Sequence, residues 1–243
     1  MSNAGSTRSG ASRPIPLALT VLVAFFAALA ALAVSNGHDA MAHGKAPEHA
    51  EAPLAVAQSP AAVTTRHAAL RTDMRVLWED PIVWTRLAII SLTSGSPDTQ
   101  ATVARLLQNQ THIGDAVKPF YGKAAGNALT AELRRHILIA ADVVAAAKAG
   151  DQAKLADAQA RWQRNADDIA GVLASVNPRH WKLGAMKAEM RKHLTLTTQE
   201  AVARLQGNWA ADVAAYDKIH RHILHMSDVL ADGLVKQFPK RFR

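Results

Sequence analysis

Eleven histidines and no cysteine restrict the side-chain chemistry of this chain to nitrogen and oxygen donors, with methionine as the one soft ligand. Three histidines fall on faces that are otherwise apolar. At 100° per residue, His136 lies close to the centre of the stripe Leu129, Leu133, Ala140 and Ala147. His193 continues the stripe Met186, Met190, His193, Thr197, Glu200 and Arg204, whose second half is polar. His222, with Asn109 and Asn165, flanks the core. In one reading, His136, His193, His222 and Glu200, with Asn109 and Asn165, converge on a polar chamber that binds a cation, since bundle interiors build metal sites from imidazole and carboxylate on facing helices. Copper, zinc and iron suit those donors, and the reading leaves haem open as a metallocofactor. In the other reading the same groups hydrogen-bond to one another and fix helix register, with Glu200 and Arg204 as an internal pair.

A second cluster is Asp217, His220, His222, His225 and Met226. His222 and His225 form an i, i+3 pair and Met226 follows His222 by four, a set of imidazole and thioether that suits copper or zinc. The plainer alternative is a half-exposed helix face with Met226 in the core. No Glu-x-x-His pair, nucleophile elbow or His-Glu-x-x-His helix is present, so no motif nominates an enzyme.

The elements that must position these groups are helices. Hydrophobic residues make up 49% of the chain but aromatic ones only 5%, so the apolar mass is mainly Ala, Leu, Val and Ile. That mixture packs helices closely and suits sheets poorly. His136 and His193 each precede a glycine, Gly150 and Gly207, by fourteen residues, and the same count back from Gly95 reaches Pro81. The spacing predicts three αα-hairpin repeats at about 67–122, 125–178 and 182–239, with Gly in the left-handed position of each break and Asp98, Asp151 and Asn208 starting the next helix. The outer breaks are expected at Tyr121-Gly122 and Asn177-Pro178. The fold class expected over 66–243 is therefore all-α, a six-helix bundle.

The segments LWEDPIVWTR at 77–86, LLQNQTHIGDAVKPFYG at 106–122, RWQRNADDIA at 161–170, HLTLTTQEAVARL at 193–205 and GLVKQFP at 233–239 resemble a bacterial helical-bundle family of unestablished function. The resemblance spans about 70–239. Members carry enzyme names such as glycosyltransferase or acetylglutamate kinase. Both imply α/β nucleotide-binding folds, whereas this domain has no strand pattern, Gly-rich phosphate loop or Asp-x-Asp pair. The family pattern implies a His where this chain has Pro81, so the first repeat lacks the inward imidazole of the other two.

Ahead of the domain, residues 1–35 combine Arg8 and Arg13 with a charge-free run from Ile15 to Val34, which predicts a signal peptide or a transmembrane anchor. The small-residue site Ala40-Met41-Ala42 would permit cleavage after Ala42. Residues 36–65 read as a flexible Ala/Pro/His linker. The first 65 residues hold three bases (Arg8, Arg13, Lys45) and three acids (Asp39, Glu48, Glu51), so the whole excess of +8 falls on 66–243. With the chain exported, that charge and the basic tail Lys236, Lys240, Arg241 and Arg243 point to anionic lipid headgroups rather than nucleic acid. The expected protein is an envelope bundle, anchored in the inner membrane or secreted, that binds a metal or metallocofactor. The alternative is an envelope scaffold or partner-binding module without ligand or catalysis. A C-terminal alkaline phosphatase fusion is expected to be active in cells and a cytoplasmic fluorescent reporter dark; the reverse pattern would overturn the export reading.

Overall fold

The computed structural model describes residues 65–243, so the anchor and nearly all of the linker expected over 1–65 lie outside the described residues. Among the described residues there are five α-helices and no strand: α1 (Thr65–Ser94), α2 (Thr99–Ala149), α3 (Gln152–Val176), α4 (Leu183–Leu205) and α5 (Trp209–Gln237), followed by a short 3-10 turn (Pro239–Arg241). None of these helices is long and apolar enough to cross a membrane. Each packs against two main neighbours, α1 on α2 and α5, α3 on α2 and α4, and α4 on α5, so the helices form a closed ring around one core.

The glycine breaks have the expected chemistry. Gly95, Gly150 and Gly207 have φ of 72°, 70° and 69°, a region that costs an L side chain strain. The residue after each glycine donates its N–H to a carbonyl five positions back, Ser96 to Ser91, Asp151 to Ala146 and Asn208 to Ala203. This is the Schellman closure, repeated three times. Asp151 and Asn208 then cap the following helices by accepting from the amides of Lys154 and Ala211. Asp98 departs from the pattern, because its carboxylate accepts the Ser91 hydroxyl at 2.7 Å.

The break expected at Tyr121-Gly122 falls at Gly122 and involves no loop. The helical stretch of α2 is broken in backbone angles only at Gly122, with φ 84° and ψ 168°. That single residue folds the helix back into two limbs, 99–121 and 123–149. A Cβ built on Gly126 would lie 2.5 Å from the carbonyl oxygen of Gly114, and one on Gly114 would lie 2.6 Å from that of Gly126. Further from the turn, Arg134 donates to the carbonyl of Leu107. Two glycines at the crossing let the backbones touch, which is why one residue suffices for the reversal.

At the end of the bundle, Asn177 donates to the carbonyl of Gly233, and the Trp181 ring lies against Gly233 where a side chain would stand. The chain end folds back here. Phe238 and Phe242 pack on Phe120, and Arg241 donates to the carbonyl of Pro119 while lying over Phe120 and Phe238. One base of the tail is thus committed to the bundle.

Two glycine substitutions should move stability in opposite directions. Gly114→Ala drives its methyl into the Thr130 hydroxyl and the Gly126 carbonyl and should cost about 1–3 kcal/mol. Gly171→Ala, inside α3 with nothing within 4 Å of its Cβ, should gain about 0.5–1 kcal/mol. Urea unfolding followed by far-UV circular dichroism checks both; a neutral Gly114→Ala would contradict the backbone crossing.

Candidate functional site

The three inward histidines meet. The His136 and His193 ring centroids are 5.8 Å apart and those of His193 and His222 are 6.3 Å apart, so one imidazole each from α2, α4 and α5 forms a row inside the ring of helices. Each has different partners.

His136 is fully engaged. The Trp162 indole N–H donates to its Nε2 at 3.1 Å, and its Nδ1 lies 2.8 Å from Oδ1 of Asn165. An indole can only donate, so Nε2 holds the lone pair and Nδ1 carries the proton it donates to Asn165. The Asn165 amide then donates to the Glu132 carbonyl at 3.1 Å and to its carboxylate at 2.9 Å. This relay consumes both nitrogens of His136. Burial pushes its pKa down to about 4, opposed in part by the Asn165 bond, so it is neutral at physiological pH.

His222 repeats part of that pattern. Its Nε2 donates to the carbonyl of Glu189 at 3.1 Å, across the same 33-residue separation that links Asn165 to Glu132. A carbonyl only accepts, so the proton is on Nε2 and the Nδ1 lone pair faces Glu189 Oε2 at 3.6 Å. Both of these atoms are buried without a hydrogen-bond partner. The other carboxylate oxygen, Oε1, lies 3.7 Å from Nε2 of the exposed His225.

His193 stands between them with its Nδ1 unpartnered. Fifty-seven residues after Trp162 and Asn165, the chain has Ile219 and His222. One of the two partners that hold His136 is thus apolar in the next copy, and the other is turned away to Glu189. Burial, reinforced by the two neighbouring imidazoles, holds the His193 pKa well below its ordinary value. Burial also lowers that of His222, against the pull of Glu189.

Glu200 lies in a separate charged cluster. It accepts from Arg86 of α1 at 2.9 Å, and the same guanidinium forms a two-pronged pair with Asp212 of α5. Arg204 also binds Asp212, at 3.1 Å, rather than pairing with Glu200. Both carboxylates are fully buried. Burial raises the Glu200 pKa more than Arg86 pulls it back, whereas at Asp212 the bonds from Arg86 and Arg204 outweigh burial and lower it. Asn109 makes no hydrogen bond to the row of imidazoles. It is buried with both amide atoms unpartnered and borders a surface groove lined by Val76, Asp80 and His112. His220 pairs with Glu79 at 2.7 Å, and Met226 is buried in the core.

Among the described residues no group of three or more His, Asp or Glu side chains stands ready as a metal cage. The structure brings His136, His193 and His222 together, and His222 with His225 through Glu189; Glu200 joins neither set. Glu132, Glu189, Arg86 and Asp212 were absent from the sequence reading. A signal existed for the two glutamates, each four residues before an inward histidine. Arg86 falls on the stripe Ile82, Arg86 and Ile89, while Asp212 reads only as a first-turn acid on a helix. No family model, curated protein or solved structure matches the chain.

The buried imidazoles set a pH dependence. Their pKa values are lowered by folding, so the unfolded chain binds more protons once the pH falls below about 6.5, and stability present above that pH is lost as it falls further, for His136 down to about 4. Each contributes a slope of up to about 1.4 kcal/mol per pH unit in that window. Urea unfolding between neutral pH and about pH 5 should show stability falling with acid, and His136→Phe should make the fall shallower. An unchanged slope would mean that His136 is not buried neutral.

Proposed function

We propose that this chain is an extracytoplasmic, membrane-tethered helical bundle that binds a divalent transition-metal ion between α4 and α5, with Glu189, His222 and His225 as ligands. The observation that carries the reading is the pair of buried, unpartnered atoms His222 Nδ1 and Glu189 Oε2, 3.6 Å apart. Two lone pairs held face to face repel unless a positive charge lies between them. Ligand atoms bound at about 2.0–2.1 Å around a tetrahedral ion stand about 3.3 Å from one another, so a small inward movement suffices. The Nε2–H bond from His222 to the Glu189 carbonyl is the outer-shell contact that holds a metal-binding imidazole in orientation. His225 lies one turn along the same helix, and its exposed ring closes the set by rotating.

Two imidazoles and a carboxylate suit zinc or iron, and zinc is the simplest probe. His136 has no free lone pair and Glu200 lies in the separate cluster of Arg86 and Asp212, so neither belongs to this site. Residues 15–34 support the tether, and Lys236, Lys240 and Arg243 add attraction to anionic headgroups. Membership of the bacterial helical-bundle family that segments such as LWEDPIVWTR resemble would fit this reading without adding an activity.

A second reading, a scaffold without ligand, draws on the repeated bonds of Asn165 to Glu132 and His222 to Glu189, which hold neighbouring helices in register. Zinc titration separates the two. The full chain without a histidine tag is expected to bind one zinc per chain with a rise in Tm, and Glu189→Gln and His222→Gln should each weaken binding at least about tenfold, while His136→Gln leaves it unchanged. No stoichiometric uptake of zinc, copper(II) or iron(II), or uptake indifferent to Glu189 and His222, would overturn the metal reading and leave the scaffold.

A further inference from the structure

We infer that one end of the bundle is a docking face for a bilayer rich in anionic lipid, which holds the domain end-on against the surface to which residues 15–34 tether it. The choice of a bilayer rests on the tether proposed above; the charged face is read from the described residues alone. Over 66–243 the chain has 25 bases and 17 acids. The four segments 65–68, 118–125, 176–184 and 235–243 hold nine of those bases and no acid, which leaves 16 bases against 17 acids in the rest of the domain. The whole positive excess therefore lies in four short segments that are far apart in sequence.

The fold gathers these segments at one end. Tyr121, beside the reversal of α2 at Gly122, packs its ring on Trp181 of the α3–α4 connection and on Phe238 of the tail. Arg241 of the tail donates to the carbonyl of Pro119. The first turn of α1 joins them, because His67 stands 3.2 Å from Asp232 near the end of α5. The two acids that border the segments are taken, Asp115 by Lys118 and Asp232 by His67 and Arg71. Apart from Lys118, every base of the four segments is exposed, and among the described residues none is paired with a carboxylate. Arg66 comes from α1, Lys123 from α2, Arg179 and Lys182 from the α3–α4 connection, and the other four from the tail. The opposite end differs: its breaks, 94–99, 148–152 and 205–209, hold Lys148 against Asp98 and Asp151.

Bases crowded on one face without counter-charge repel one another, and an anionic surface relieves that repulsion. Each base close to such a bilayer raises partitioning about fivefold. The attraction fades within about 10 Å at 0.1 M salt, so the bases act together only when they share one side of the molecule, as these do. Leu183, 46% exposed beside Lys182, adds an apolar point of contact. The chain also enters the bundle on this face, at Thr65, so the tether and the charge lead to the same surface. A nucleic acid would answer the charge but gives no reason for that coincidence.

The chain has no cysteine, so a single introduced cysteine reports position without interference. The full chain is labelled with a fluorophore at Gln237→Cys, on this end, or at Gln152→Cys, at the far end of α3 about 35 Å away. It is mixed with vesicles of phosphatidylcholine carrying a headgroup quencher, with or without about 30% phosphatidylglycerol. With phosphatidylglycerol the label at 237 is expected to be quenched and that at 152 not, and raising salt from about 0.05 to 0.5 M should reverse the quenching. Replacing Arg179, Lys182, Lys236 and Lys240 together by Gln should lower the ratio of docked to free domain at least about thirtyfold. The same change at four exposed bases elsewhere, Arg164, Lys192, Lys218 and Arg221, should lower it less than about threefold. Equal quenching with and without phosphatidylglycerol, equal quenching of the two labels, or equal losses in the two quadruple variants would overturn the proposal. So would a first variant that loses binding to a DNA duplex while its docking to vesicles persists. Flotation with pure phosphatidylcholine vesicles at high salt tests the tether by itself: a chain that fails there but floats with phosphatidylglycerol at low salt loses the tether and keeps the docking face.

Discussion

The arrangement rests on the need to satisfy polar groups buried in an alanine-rich core. Packing of Ala, Leu, Val and Ile is strong but weakly directional, and helices of such composition can slide past one another by a turn at small cost. A buried hydrogen bond has a direction and a length, and breaking it inside the core costs about 1–3 kcal/mol. The bonds from Asn165 to the Glu132 carbonyl and from His222 to the Glu189 carbonyl therefore fix α3 against the second limb of α2, and α5 against α4, each with the same offset of 33 residues. The relay from Trp162 through His136 to Asn165 strengthens the first of these. In the third copy the relay is cut, which is what releases His193 and the Nδ1 of His222.

The first repeat solves the same problem differently. Pro81 stands where an inward imidazole would be, inside α1, and its ring removes a backbone donor. Asn109, at the place of Asn165 and His222, is left with an unpartnered amide. What ties α1 to the rest is charge instead. Arg86 reaches across to Glu200 of α4 and Asp212 of α5, and Arg204 completes two acids and two bases. A network of this kind adds little net stability over an apolar filling, but removing one member leaves a buried charge alone, at about 3–5 kcal/mol. It specifies where α1 docks. Arg86 also lies over the Tyr216 ring, which shields the pair from water on that side.

The relay at His136 leaves no donor free, so it is a structural element. The altered third copy has a spare lone pair facing Glu189, and the row of imidazoles holds a further unpartnered nitrogen on His193. Divergence between repeats, rather than the repeat itself, leaves buried polar atoms without partners.

The sequence by itself determined the helices and their breaks, because these depend on local physics. Gly95, Gly150 and Gly207 are needed where the backbone turns left-handed, Asp151 and Asn208 supply capping oxygens, and the apolar period marks the inward faces of His136, His193 and His222. It did not determine that Gly122 reverses α2 without a loop, since that depends on Gly114 meeting Gly126 across the turn. Pairing was equally hidden. Glu200 and Arg204 sit four apart on one helix, yet their partners are Arg86 and Asp212 on others, because charge interactions are settled by distance in space. Only the tertiary structure placed Glu189 between His222 and His225, and only it left a nitrogen of His193 unpartnered; which lone pairs are consumed and which remain depends on side chains contributed by facing helices, and no period along a single helix encodes that.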